Sequence, residues 1–189
     1  MPGLTAFLDA SVLYPAPLRD FLMYLALTDV YRAKWSQQVH TEWIEALLRT
    51  RPDLPRAQLE RTRDLMNAHV QDALVEDFEH LIDGLTLPDP NDRHVLAAAI
   101  KSRSNLIITN NLKHFPSSVL ATFDIEAIHP DVFVLRLLEV SPQDVVSAAA
   151  EQRQNLKNPP KSLADYLATL ERQGLTGTVA RLREFATLL

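Results

Sequence analysis

At 189 residues, with 47% hydrophobic residues and no cysteine, the chain has room for one medium domain and a small helical appendix. It has none of the chemistry that needs a thiolate: disulfides, thiol catalysis, or cysteine-bound zinc or iron. The net charge of -5 argues against a basic surface that coats nucleic acid broadly, yet it leaves room for a nuclease, because bound divalent cations offset clustered carboxylates locally.

In chain order, the stretch from Met1 to Asp9 has no basic segment, and its apolar run Thr5-Ala6-Phe7-Leu8 stops at Asp9 as a buried parallel strand would. No apolar run approaches the roughly 20 residues of a membrane span. The expected location is the cytoplasm, without membrane association. Leu18, Phe21, Leu22 and Leu25 have the spacing of an amphipathic helix. Ala33-Lys34-Trp35 reads as a short second strand, after which Ser36 caps a helix to about Arg49 that Pro52 ends. This helix buries Val39, Trp43, Ile44, Leu47 and Leu48. A polar helix is expected over 55–68 and another over 75–82, the latter with a solvated acidic face of Glu76, Asp77, Glu79 and Asp83. The turn Leu87-Pro88-Asp89-Pro90-Asn91-Asp92 leads into a helix at Val95–Ile100 that is apolar almost all round. Leu106–Thr109 is the clearest strand, and Ile125–Ile128 is a short last one. Strands alternating with helices point to a parallel sheet covered on both faces. From Asp131 onward the pattern is only helical, with Asn155–Lys161 as a hinge or linker and Ser162 with Asp165 as a capping box. The stripes Leu163, Tyr166, Leu167, Leu170 and Val179, Leu182, Ala186, Leu189 require a partner surface: the core domain, a second protomer or a bound protein.

Several chemistries are excluded by motif. Four glycines, Gly3, Gly84, Gly174 and Gly177, cannot make a dinucleotide fingerprint or a P-loop. The histidines form no HExxH, and no G-x-S-x-G elbow exists. His40-Thr41-Glu42 has the first half of a zinc deaminase motif without the cysteine half. Asp9-Ala10-Ser11 lacks the second acid of an aspartate-dependent phosphotransferase. What remains is a set of acids in suitable places. Asp9 ends a strand, where open α/β sheets bind ligands. Asp92 opens a buried helix, where the helix N-terminus stabilises an acid. Glu42 lies among Val39, Trp43 and Ile44, where a carboxylate is costly unless paired, and a metal is one such partner. Hard oxygen ligands select Mg²⁺ or Mn²⁺. Taken singly, each acid also reads as a cap, turn or solvated residue; their order along the chain is what joins them.

The segments Phe7-Leu8-Asp9-Ala10-Ser11-Val12-Leu13, Asp89 to Ala99 and Ile107 to Phe115 resemble those of PIN-domain proteins, in the VapC-like toxin ribonuclease branch with a D-x-x-D-R-H-V-L segment. The resemblance covers residues 4 to 130. It implies a three-layer α/β/α sandwich with a central parallel sheet, here as residues 1–130, followed by a helical C-terminal extension, 131–189. It implies a Mg²⁺- or Mn²⁺-dependent endoribonuclease that cleaves RNA, often tRNA or rRNA, through a metal-activated water, with a cognate antitoxin that blocks the site and frequent homodimers. Matched position by position, Asp9, Glu42 and Asp92 are the first three acids and the metal ligands. Thr109 is the hydroxyl residue before the fourth position. That fourth position, usually Asp, is Asn111, which offers a carbonyl and no charge; affinity for a second metal should drop. Asp89 is either an auxiliary acid or a turn former before Pro90. Arg93 and Lys113 are candidate phosphate contacts. His94 and His114 lie beside the motifs, and Ser11 either holds a metal-bound water or caps a helix. The alternative reading, motivated by Asn111, is a PIN-like module that binds RNA or protein without cutting.

Overall fold

A computed structural model describes residues 3–189. Strand β1 (Thr5–Leu8) runs into α1 (Ala10–Leu13) and α2 (Ala16–Leu27), then β2 (Arg32–Lys34), α3 (Gln37–Thr50) and α4 (Arg56–His69). Helix α5 (Arg93–Lys101), β3 (Leu106–Ile108), α6 (Ser117–Leu120) and β4 (Glu126–Ile128) complete the α/β part. Four helices follow: α7 (Pro130–Val140), α8 (Pro142–Asn155), α9 (Leu163–Arg172) and α10 (Thr176–Leu182).

The four strands form one parallel sheet in the order β2-β1-β3-β4, with Phe7 beside Ile107 and Ile108 beside Ile128. All residues of β1 and β3 are buried, so both faces of the sheet are covered, as their unbroken apolar runs require. The architecture is the expected α/β/α sandwich with a helical C-terminal region. From β1 the chain moves to one neighbour, β2, and later returns on the other side as β3. The point where the order reverses therefore lies between the carboxyl ends of β1 and β3, the place where open α/β sheets form a ligand crevice. Pairing continues one residue past the strands: Asp9 N–H donates to Ile108 O at 3.1 Å and Thr109 N–H to Ile128 O at 3.1 Å.

Helix α3 begins as its sequence demands, with Ser36 Oγ accepting from Val39 N–H at 3.2 Å. Val39, Trp43 and Ile44 are buried, while Leu47 and Leu48 are only partly so. The helix expected over 75–82 does not form. Trp35 N–H donates to Ala73 O and Trp35 O accepts from Val75 N–H, so this stretch bridges the chain just after β2. Asp77 then sits at φ 58°, a left-handed conformation that interrupts a helix, and only a 3₁₀ segment, Glu79–Gly84, follows. The acidic residues of this stretch are exposed as expected.

The C-terminal stripes find their partner within the chain. Helix α8 packs along α2, and α7 packs on α8 and α10. Gln152, itself buried, donates to Pro17 O at 3.1 Å and accepts from Tyr166 Oη at 2.8 Å. Asp131 accepts from the N–H groups of Gly177 and Thr178 at 2.9 and 2.8 Å, which anchors α10 to α7. Val179, Leu182 and Leu189 are buried, but Ala186 is exposed, because the chain turns into a 3₁₀ segment at Arg183 and loses the α-helical period. At Ser162, Oγ accepts from Asp165 N–H at 3.1 Å and donates to Asp165 Oδ2 at 2.8 Å. Residues 155–161 are tied down by a Lys157–Pro160 bridge and by Arg153 Nη1 donating to Lys161 O. No helix among the described residues is long and apolar enough to cross a membrane.

Candidate active site

A cavity of about 330 Å³ opens at the carboxyl end of β1, and Asp9, Glu42, Asp92 and Asn111 all line it. Four separate parts of the chain deliver them. Asp9 follows β1, Glu42 comes from the middle of α3, Asp92 precedes α5, and Asn111 lies two residues beyond Thr109 at the end of β3. Ser11, Tyr14, Trp43, Arg49 and His114 share the same walls.

Asp9 is 6% exposed and held from one side by neutral donors. Its Oδ2 accepts from Ser11 Oγ and from Thr109 Oγ1, both at 2.8 Å. Each hydroxyl is fixed in turn: Ser11 Oγ accepts from Asn110 N–H at 3.0 Å, and Thr109 Oγ1 accepts from Asn111 N–H at 3.0 Å. Two loops, after β1 and after β3, are thereby locked together around one carboxylate. Thr109, a candidate substrate contact by its place beside the fourth position, is fully buried and holds Asp9. Ser11 braces Asp9 and the turn at Asn110.

The other two acids meet imidazoles. His94 Nε2 lies 2.5 Å from Glu42 Oε1, and His114 Nδ1 lies 3.0 Å from Asp92 Oδ2. Neither contact has the alignment of a full hydrogen bond. Both His94 ring nitrogens and Asp92 Oδ2 are buried without an in-line partner. The Asp92 carboxyl is raised above its ordinary range, first by burial and then by the nearby charges of Asp9 and Asp89, with His114 opposing. An acid in that setting is stabilised by any cation that enters.

Below the site, Arg19 sets the spacing of α1 and α3. Its guanidinium donates to Leu13 O at 2.8 Å and lies 4.6 Å from the Trp43 ring centroid. Trp43 Nε1–H donates to His40 Nδ1 at 3.0 Å, and His40 Nε2 faces Asn67 Oδ1 at 3.1 Å. Burial pushes His40 down to about 4, matching a neutral ring that accepts from Trp43 and donates to Asn67.

The remaining candidates fall outside the cavity. Arg93 Nε donates to Pro90 O at 3.1 Å, and Lys113 is exposed; neither lines the site. Asp89 Oδ1 accepts from Asn91 N–H at 2.9 Å, which is the turn-forming role, while its charge is still felt at Asp92. The cation that does line the cavity, Arg49, was missed in the sequence. The signal was present in the helical period: Glu42, Ala46 and Arg49 are spaced i, i+4, i+7 and share one face of α3.

The donor set suits a hard divalent cation: carboxylates from Asp9, Glu42 and Asp92, an amide at Asn111, and a buried carboxylate oxygen without an in-line donor. No group of three His, Cys, Asp or Glu side chains among the described residues is arranged around a single point. Glu42 and Asp92 are instead drawn to His94 and His114.

The comparisons with known proteins agree with this geometry. The PIN domain family model matches residues 5–113, more than half of the chain, and the VapC50 C-terminal domain model matches residues 130–184. A protein of Mycobacterium tuberculosis (strain ATCC 25618 / H37Rv), described as "Putative ribonuclease VapC50", is 53% identical over 49 residues, 26% of this chain. The matched stretch is only 29% of that relative's length. No solved structure gives a significant match. The chain belongs to the PIN-domain family, in its VapC-like branch.

Proposed function

We propose that the chain is a Mg²⁺- or Mn²⁺-dependent endoribonuclease and the toxin of a toxin–antitoxin pair, acting in the cytoplasm on RNA, with tRNA and rRNA the foremost candidates. The observation that carries this reading is the meeting of Asp9, Glu42, Asp92 and Asn111 from four chain segments in one cavity at the point where the strand order reverses. Asp9, Asp92 and Glu42 would hold the cation, with Asn111 as an uncharged ligand or water contact. When bound, such an ion lowers the pKa of a water and offsets charge on a phosphate. The chain's own residues do the rest. Ser11 and Thr109 keep Asp9 in one orientation, and the Arg19–Trp43 contact steadies the stretch of α3 that brings Glu42 to the same cavity. His94 and His114 lie beside Glu42 and Asp92 and can orient their carboxylates. We take residues 1–130 as the nuclease unit and 131–189 as its extension, and expect a homodimer and an antitoxin that covers the cavity.

The test is cleavage of total RNA by the full chain with Mn²⁺, with Mg²⁺, and with chelator. Cleavage should require the metal and disappear in Asp92→Ala. Full activity in chelator or in Asp92→Ala would overturn the reading. Asn111 favours one second reading, a PIN-like module that binds RNA or protein without cutting. Calorimetric titration with Mn²⁺ separates the two, since metal binding together with turnover leaves no place for the second.

A further inference from the structure

Three arginines lie from the end of α3 to the start of α4, Arg49, Arg51 and Arg56, and two of them are paired. Arg51 donates to both Asp53 carboxylate oxygens at 2.9 and 2.8 Å. Arg56 Nη1 reaches Glu45 Oε1 at 2.6 Å. Glu45 is the acid one helical turn before Arg49, the ordinary partner for an arginine at i+4, and Arg56 has taken it. Arg49 is left exposed, with no ion pair to any acid among the described residues, on the α3 face that bears Glu42. It is also the one arginine or lysine among the cavity-lining residues.

Tyr14, half-buried just after α1, lines the same cavity. Its Oη lies 2.7 Å from Thr50 Oγ1, and Thr50 in turn donates to the Ala46 and Leu47 carbonyls at 3.2 Å. The Tyr14 hydroxyl is thus the donor in the first bond, which ties the side chain to the last turn of α3, and Tyr14 lines the cavity. A tethered aromatic side chain and an unpaired guanidinium in the wall of a cavity that also holds the acids match one nucleotide unit: a base to stack and a phosphate to bind.

We propose that Tyr14 and Arg49 form a nucleotide subsite in the wall of the cavity, Tyr14 stacking an unpaired base and Arg49 binding its phosphate. A base in a duplex is stacked on its neighbours and cannot lie on the tyrosine ring. This rests on the nuclease reading for its substrate class, but its test reads binding, not cleavage.

The experiment is fluorescence anisotropy of a short unstructured oligoribonucleotide, and of the same strand annealed to its complement, with the full-length Asp9→Asn chain in Mg²⁺ across a salt series. The single strand should bind at least about tenfold tighter than the duplex. Arg49→Gln should weaken binding and lower the salt slope by about 0.7, the value for one lost phosphate contact on a single strand. Tyr14→Leu should weaken binding about tenfold at unchanged slope, and Tyr14→Phe should retain most of it, because stacking survives loss of the hydroxyl. Circular dichroism confirms that each variant is folded. An unchanged salt slope in Arg49→Gln, equal binding of duplex, or Tyr14→Leu within about twofold of the parent would overturn the subsite. A chain that binds single strands with this dependence but cuts no RNA would overturn the nuclease reading and leave the subsite standing. One that cuts RNA with an Arg49-independent slope would do the reverse.

Discussion

The two sides of the cavity hold their carboxylates by different means. On the strand side, Asp9 is buried and receives two short bonds from neutral hydroxyls, each itself fixed by a backbone N–H of the loop after β3. On the helix side, Glu42 and Asp92 touch imidazoles in contacts that lack full alignment, and Glu42's side chain is 40% exposed. The strand side is set by the sheet; the helix side rests on side chains that can move. In the proposed site, Asp9 would hold a cation from a fixed position, and Glu42 and Asp92 would do so from positions beside His94 and His114. Preorganisation of this kind favours a fixed first ligand supported by hydrogen bonds from behind it.

The difference can be broken or sharpened by mutation. The largest effect is expected from Asp9→Asn, which keeps the shape of the strand side but removes its charge. Mn²⁺-dependent RNA cleavage should fall by at least about 100-fold in a steady-state assay. An activity within about twofold of the parent would remove the strand side from the site.

Next comes the base of the helix side, where α3 is anchored by His40. Its ring accepts from Trp43 and faces Asn67, with Arg63, Asp64 and Arg19 as the nearby charges. In the folded chain it takes a proton only near 4, against an ordinary 6.5. The unfolded chain therefore binds the extra proton first as pH falls. The stability this neutral ring contributes is present above pH 6.5 and is lost as pH falls toward 4, with a limiting slope of about 1.4 kcal/mol per pH unit. Urea denaturation followed by Trp fluorescence between these limits should show that slope. His40→Gln should flatten it; an equal slope in the variant would place the titration elsewhere.

Thr109→Val then tests the hydroxyl support of Asp9 with little change of shape. Mn²⁺ affinity by calorimetry should weaken about tenfold, the lower end for loss of a group that orients a ligand. The smallest effect is expected from His114→Gln. If the helix side is adjustable, Mn²⁺ affinity should change by less than about threefold, well under the Thr109→Val effect. A reversal of that order would show the helix side to be the rigid one.

Some of this was legible residue by residue. Unbroken apolar runs at Thr5–Leu8 and Leu106–Ile108 mark strands buried on both faces, and Ser36 with Val39 marks the start of α3. The local fragments around Asp9, Asp92 and Thr109 were enough to suggest the family. The segment at 75–82 was misread because its period is that of a helix. A bridge to Trp35 and the left-handed Asp77 decide otherwise, and both depend on what lies beside the segment in space. Arg93 and Lys113 drew attention by adjacency to the motifs, yet side chains next to a ligand in sequence point elsewhere at a helix start or an exposed turn. Arg49, seven residues from Glu42, shares its face.

The sequence by itself therefore determined most of the elements and the absence of thiolate chemistry, and it picked out acids that line one cavity, because local periodicity and residue type are properties of short stretches. Only the tertiary structure decided which groups surround those acids. Thr109 is 100 residues from Asp9, and His94 lies on a different helix from Glu42. Contacts across such separations follow from sheet order and helix packing, which no local window contains. The opposite characters of the two sides of the cavity come from that packing.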